Sequence, residues 1–278
     1  MLIRVEHQTT YRYDRAPRLV IQALRKTPRS CASQHVRRWR INADADVRIH
    51  QSEDAFGNIM HALYTDGPVE ALSVTVSGEV ETSDTAGALE GWPERQPELV
   101  FLRTTPLTEP GEAIRSFADP LRRKDRLDLL HGLMSSIHAQ IAFDAGATDV
   151  SHSAQEAFEL GRGVCQDHTH IFLAAARWLG VPARYVSGHL RRRDGEAGQE
   201  AAHAWAEAKV EGLGWVGFDA ANGVCPDANY VRVASALDYL GAAPVRGASY
   251  GGQGERLSVS LQVDSPPAAS PPPSQLQQ

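Results

Sequence analysis

Cys165, His203 and Asp219 are the residues of this chain whose types and placement can do chemistry together. Cys165 follows Gly161-Arg162-Gly163-Val164 and opens a helical run that reaches Leu179. A thiol at a helix N-terminus feels the positive end of the macrodipole and nearby free N–H groups, and both stabilise thiolate. Its own backbone N–H, unpaired by the helix, is a candidate oxyanion-hole donor. Gly161 and Gly163 let a substrate backbone approach closely. His203 lies in Ala201-Ala202-His203-Ala204-Trp205-Ala206-Glu207, and Asp219 ends Trp215-Val216-Gly217-Phe218-Asp219. In this constellation the imidazole takes the thiol proton, the carboxylate fixes the imidazole tautomer, and the thiolate attacks a carbonyl. Each residue alone has a plainer reading, Cys165 as a small buried residue and His203 as a structural strand histidine.

The elements around these residues set what they can reach. Positions 202, 204, 206 and 208 are all alanine, which predicts a strand with one face pressed on a helix. His203, Trp205, Glu207 and Lys209 form its other face. Gly212 and Gly214 mark a turn, after which Trp215, Gly217 and Asp219 alternate in the same way. A register in which opposed residue numbers sum to an even value puts His203 and Asp219 on one face. A slip of one residue separates them, and the pattern allows either. Upstream, Leu127, Leu130, Leu133, Met134, Ile137 and Ile141 recur as one buried helix face would. Ser153 and Glu156 form a capping box ahead of a short helix stopped by Gly161. Residues 183–190 and 257–263 alternate as strands, the latter closing the order.

The front of the chain has a different character. Ile3, Val5 and Thr9 to Asp14, then residues 36–41, 47–50 and 72–77, are strand-like and separated by turn signals such as Phe56-Gly57-Asn58 and Asp66-Gly67-Pro68. The division predicted is a β-rich domain over 1–85, a Pro- and Gly-rich linker over 86–110, an α+β core over 111–264 and a disordered tail over 265–278. The 278 residues, 42% hydrophobic and 22% charged, are those of an ordinary soluble globular protein. A net charge of −6 gives no electrostatic reason to expect nucleic acid or an anionic membrane as partner. The clusters Arg122-Arg123-Lys124 and Arg191-Arg192-Arg193 sit beside aspartates and read as solvated surface. The N-terminus lacks the features of a signal peptide, and no apolar run approaches the ~20 residues of a membrane span, so a cytoplasmic location is expected. Cys31 and Cys225 have no base motif beside them and read as structural; with Cys165 they are too few for a disulfide framework.

Several ordered segments resemble a known family. Gly161-Arg162-Gly163-Val164-Cys165-Gln166-Asp167, Gly180-Val181-Pro182-Ala183-Arg184-Tyr185-Val186-Ser187-Gly188, His203-Ala204-Trp205 and Gly214-Trp215-Val216-Gly217-Phe218-Asp219 are similar to the bacterial transglutaminase-like family. His7-Gln8-Thr9-Thr10-Tyr11-Arg12-Tyr13-Asp14 resembles the β-rich domain found ahead of that core. The resemblance covers most of the chain up to about Val263. It implies a papain-like α+β core, a nucleophile helix packed on an antiparallel sheet, with Cys165 as nucleophile, His203 as base and then acid, and Asp219 as the orienting acid. Trp205 and Trp215 are then each either a wall of the acyl site or a core residue, and Gly163 and Gln166 are candidate substrate contacts. Asn222, in Asp219-Ala220-Ala221-Asn222-Gly223, is either a functional neighbour or part of a turn. His168 and His189 depart from the family's usual aromatic and tyrosine.

Two rivals use the same residues. His168, three residues after Cys165 on one helix, is an alternative base. Cys165, His168 and His170 are an alternative metal site, although their spacing matches no closed zinc pattern. The expected reaction needs no metal or organic cofactor: Cys165 attacks an amide, an amine leaves as a thioester forms, and the acyl group is transferred. Water as acceptor makes a peptidase or amidase, and an amine acceptor makes a transglutaminase. Hydrolysis of a peptide or isopeptide-like bond in a peptide or protein substrate is the preferred reading. A non-catalytic binding module and a coenzyme A-dependent acyltransferase are the alternatives, the latter without any phosphate-cradling motif. No oligomeric state is assigned.

Overall fold

The computed structural model describes residues 1–92, 94–199 and 201–265. β1 (Leu2–Arg15) buries alternate side chains from Ile3 and Val5, through His7 and Thr9, to Tyr11 and Tyr13, the period of a half-buried strand. β2 (Leu19–Thr27), β3 (Gln34–Ala43), β4 (Val47–Glu53), β5 (Ile59–Thr65) and β6 (Ala71–Thr82) follow. β6 lies antiparallel between β1 and β3, while β5 lies between β2 and β4 in a second sheet. Tyr11, Tyr13, Leu72 and Val74 of the first sheet meet Val20, Leu24 and Leu63 of the second. The front of the chain is therefore a β sandwich, to which β2 and β5 add strands beyond those that alternation predicts.

The chain then continues through β7 (Ala88–Leu89), a 3-10 turn over Glu98–Leu102, α1 (Glu112–Ala118), α2 (Arg126–Gln140), β8 (Ala142–Phe143), α3 (Ala154–Leu160) and β9 (Arg162–Gly163). α4 (Cys165–Trp178), β10 (Ala183–Leu190), β11 (Gly198–Gln199), β12 (His203–Val210), β13 (Gly214–Phe218) and β14 (Tyr230–Ala236) come next. α5 (Tyr239–Ala242), β15 (Val245–Tyr250) and β16 (Gln253–Asp264) complete the order. The capping box at α3 forms: Ser153 Oγ accepts from the Glu156 N–H at 3.3 Å, and Glu156 Oε2 accepts from the Ser153 N–H at 2.8 Å. Gly161 ends that helix in the left-handed region, at φ 68°, where glycine carries no Cβ penalty.

The core sheet runs β14-β10-β12-β13-β7, and α4 lies across it. Ala204, Ala206 and Ala208 form the strand face beneath the helix, and their small side chains let α4 approach closely. With α1, α2 and α3 packed on its other sides, α4 is buried almost all round. Ile171, Phe172 and Leu173 are fully buried, each worth about 1.5–3 kcal/mol of burial. Such a helix is a fixed post, and its N-terminus holds Cys165.

The sheets cut across the sequence division. β15 pairs with β2, and β16 pairs with β1 from Arg4↔Asp264 to Arg15↔Gln253. Residues 245–264, placed by the sequence in the 111–264 core, thus complete the N-terminal sandwich. Alternation identifies a strand but not its partner, and β1 without β16 would present an open edge. Within 86–110, β7 joins the core sheet beside β13 and Phe101 is buried, so this stretch wraps the core. The expected tail over 265–278 lies, beyond Ser265, outside the described residues. Two amide side chains seat the sandwich on the core's edge strand. Gln34 exchanges a pair of hydrogen bonds with the backbone of Arg232, and Asn58 does the same with Ser235, all at 2.8 Å.

Candidate active site

β12 and β13 pair as Ala206↔Phe218, Glu207↔Gly217 and Ala208↔Val216. This is the even register, so His203 and Asp219 share a face. Their side chains meet directly, His203 Nε2 to Asp219 Oδ2 at 2.6 Å. Asp219 sits just past β13, where its backbone bridges Val224 and accepts from the Gly223 N–H at 2.8 Å. The tight turn aims its own donors back at the carboxylate. Oδ1 accepts from the N–H groups of Ala221 and Asn222 at 3.1 and 3.2 Å. Oδ2 accepts from Asn222 Nδ2 at 2.7 Å and the Tyr230 hydroxyl at 2.8 Å, besides His203. Asn222 Nδ2 also lies 3.4 Å from His203 Nε2.

Asp219 is fully buried. Burial opposes its charge, but the neighbouring imidazole and the hydrogen bonds from His203, Asn222 and Tyr230 hold it below the usual carboxylate range. Burial likewise opposes a charged His203; the hydrogen-bonded Asp219 carboxylate and, to a lesser degree, Cys165 outweigh it and push the imidazole up to about 10. Since Nε2 is engaged by Asp219, Nδ1 is the ring nitrogen left for the thiol. Trp205, 2% exposed, stacks on the His203 ring at 6.2 Å between centroids and meets the Tyr230 ring edge-on at 5.4 Å. Gly188, opposite His203 in the ladder, makes room for this indole: a Cβ there would stand 2.6 Å from the Trp205 ring and 2.2 Å from the Val231 carbonyl.

Cys165 is the first residue of α4 and is half-buried. Asp167 reaches back to accept from the Val164 N–H at 2.7 Å and from Thr148 Oγ1 at 2.6 Å, tying down the turn before the thiol. Gly163 serves this turn. A Cβ at 163 would fall 2.5 Å from Asp167 Oδ2, so the absence of a side chain accommodates Asp167. Gln166, 8% exposed, turns its amide to the Val150 carbonyl at 3.4 Å and pins the segment that precedes α3.

Position decides between the two readings left open for Trp215 and disfavours the rival base His168. Trp215 does not wall the triad; it lies four residues before Asp219, about 13 Å along a strand, with the Arg184 guanidinium over its ring at 4.0 Å and Phe101 against its edge at 4.9 Å. Its face of the sheet is occupied by a buried charge cluster. Glu207 accepts from Arg184 Nε and Arg232 Nε at 2.7 Å each. Burial opposes charge on Glu207, and the two guanidinium groups overcome it and bring its carboxyl down to about 2. His168 does not face the thiol as a base: its Nδ1 lies 2.9 Å from the Val164 carbonyl and its Nε2 3.1 Å from the Ile141 carbonyl. His170 accepts from the Tyr239 N–H at 3.1 Å. Among the described residues no cluster of three or more His, Cys, Asp or Glu side chains is placed to hold a metal. Tyr230 is the site neighbour that sequence reasoning missed, because nothing near it in sequence points to Asp219.

Comparison with known proteins accords with this architecture. Residues 3–81 match the family described as Bacterial transglutaminase-like N-terminal region, and residues 115–220 match the Transglutaminase-like superfamily. An uncharacterized protein of Mycobacterium leprae is 30% identical over 274 residues, covering 94% of this chain and 98% of the relative. An uncharacterized protein of Mycobacterium tuberculosis H37Rv is 29% identical over 287 residues, covering 94% and 91%. The solved structure of a "putative cysteine protease" from Cytophaga hutchinsonii superposes with a TM-score of 0.77 at 19% identity, covering 98% of this chain and 93% of that one. A β-rich N-terminal region followed by an α+β core is thus shared along the whole length, and the chain belongs to the transglutaminase-like superfamily.

Proposed function

We propose that this protein is a cysteine-nucleophile hydrolase or acyltransferase that cleaves amide bonds, of peptide or isopeptide type, through a Cys165 thioester. The observation that carries the reading is the buried Asp219 carboxylate bound to His203 at 2.6 Å, with Cys165 among the groups that favour a proton on the same imidazole. With its proton held well above neutrality, His203 acts as an imidazolium paired with a thiolate. The thiolate attacks the substrate carbonyl carbon, and His203 passes its proton to the departing amine as the thioester forms. The neutral imidazole then takes a proton from the acceptor, water or an amine, as it attacks the thioester, and the thiol is regenerated. The N–H of Cys165, at the first position of α4, has no partner four residues back and supports the oxyanion. Hydrolysis is the favoured outcome.

The test is labelling of the full chain with limiting iodoacetamide between pH 5 and 9, with peptide mass mapping, for wild type and His203→Ala. Selective labelling of Cys165 well below pH 8, falling about 10²-fold at pH 6 in the variant, is expected. Equal, slow labelling in both proteins overturns the activated nucleophile and leaves a protein-binding module on the same fold. Trapping of an acyl enzyme by added amines against water then decides between transfer and hydrolysis.

A further inference from the structure

The sandwich and the core meet at a second buried polar cluster that the triad does not use. His7 of β1 and Lys26 of β2 come from the sandwich, and His189 of β10 comes from the core. They are 4%, 2% and 4% exposed, and the His7 and His189 rings lie 5.7 Å apart, edge to face. With Arg25, Ser187, Gly188 and Ala202 they line a small cavity between the two parts of the molecule. Lys26 Nζ donates to Thr9 Oγ1 at 2.6 Å, and among the described residues it forms no ion pair. Arg25 is committed elsewhere, to Asp54 at 2.8 Å. His189 Nδ1 is buried without a hydrogen-bond partner among the described residues.

A buried ammonium without a carboxylate is costly, and so is a buried ring nitrogen without a partner. A small anion offsets both: it accepts from Lys26 Nζ and from His189 Nδ1–H and balances the Lys26 charge. We propose that this cavity is a binding site for one small inorganic anion of halide size, held between the sandwich and the core by Lys26, His7 and His189. The cavity's wall includes Gly188 and Ala202, and Gly188 pairs with His203 in the ladder. The bound anion therefore braces the sandwich against the strand ends that carry the triad histidine. Burial, with mutual repulsion, brings His7 down to about 2; burial brings Lys26 down to about 7 and, with Lys26 nearby, His189 to about 3. Burial is the largest cause of all three shifts, and repulsion between the bases adds to it for the two histidines. No acidic side chain contributes to them, so anion binding takes up protons and tightens as pH falls. The inference is independent of the proposed catalysis.

The experiment uses the full chain in two ways. Thermal unfolding is followed at pH 6.5 with increasing sodium chloride, the ionic strength held constant with sodium gluconate, whose anion is too large for the cavity. Tm rises by about 2–4 °C and levels off as the site fills. This saturable rise is lost in Lys26→Met and in His189→Phe. In parallel, wild-type crystals soaked in sodium bromide show anomalous scattering between Lys26 Nζ and His189 Nδ1. Coincident chloride and gluconate curves, a chloride effect that persists in both variants, or an ordered water with no anomalous signal each overturn the proposal. If neither variant folds, the bromide position in the wild type decides.

Discussion

Two histidines a short way apart on neighbouring strands, His203 half-buried and His189 buried, behave oppositely, and their partners are the reason. His203 faces a carboxylate and is pushed up to about 10, against the effect of burial. His189 faces Lys26 and is brought down to about 3 by burial and by that like charge. Burial alone lowers both. The difference comes from Asp219, whose oxygens are fully engaged by the Asp219–Val224 turn, Asn222, Tyr230 and His203. A buried acid with its hydrogen bonds complete remains charged and can hold a partner's proton. The Lys26 cluster has no such acid, so its two histidines, His7 and His189, stay neutral.

Removing the acid is the strongest way to break this contrast. Asp219→Asn keeps the shape of the site but leaves the imidazole without its charge and tautomer control. Turnover of an amide substrate is expected to fall about 10⁴-fold, with His203 titrating near or below its ordinary value by NMR. An unchanged rate would remove Asp219 from the mechanism. Glu207→Gln tests a buried pair that serves structure. It leaves Arg184 and Arg232 facing each other in the core, and urea unfolding should show a loss of about 3–5 kcal/mol. Iodoacetamide labelling of Cys165 in the folded variant should match the wild type.

Acid separates the clusters next. His7, His170 and His189 stay neutral in the folded protein, with pKa values at about 2, 3 and 3, but protonate near 6.5 when unfolded. The unfolded chain then binds more protons below pH 6.5, and stability should drop by about 1.4 kcal/mol per pH unit for each such histidine. His189→Phe should make that slope shallower by one histidine's share. His203 has the opposite sign: its contribution is complete below pH 6.5 and is lost as pH rises through about 10. Asp219, with its lowered value, contributes above the unfolded value of 3.8 and loses that contribution only as pH falls below it. Urea midpoints at pH 4, 5, 6 and 7 measure the acid slope, and a flat profile would contradict the neutral assignment. Tyr230→Phe should have the smallest effect. It removes one donor from an acid that keeps its others, costing about 0.5–1.5 kcal/mol of stability and shifting the labelling profile of Cys165 only slightly.

Much of the site was readable because chemistry is written in residue types. A cysteine opening a helix after Gly161-Arg162-Gly163-Val164, a histidine on an alanine-faced strand and an aspartate ending the next strand identify the components. The alanine face met α4 as alternation predicts, and Ser153 and Glu156 formed their capping box. These signals are local, and local sequence carries them. The side a lone aromatic serves is not local: Trp205 lies beneath His203, whereas Trp215, also an indole on a neighbouring strand, belongs to the Arg184 cluster. The same holds for His168, whose ring nitrogens are taken by carbonyls of Val164 and Ile141.

The sequence by itself determined which side chains were available and which faces of their elements they occupied, because periodicity and capping depend on neighbours within a few residues. Tertiary structure decided the rest. The even register of β12 on β13 joined His203 to Asp219, and a strand that starts at residue 230 supplied Tyr230 to the same carboxylate. β16 returned to pair with β1 across almost the full chain length, and His7, Lys26 and His189 met across the seam between sandwich and core. Each of these is a pairing of distant segments. Side-chain types permit such pairings, but packing and hydrogen bonding across the whole fold select among them.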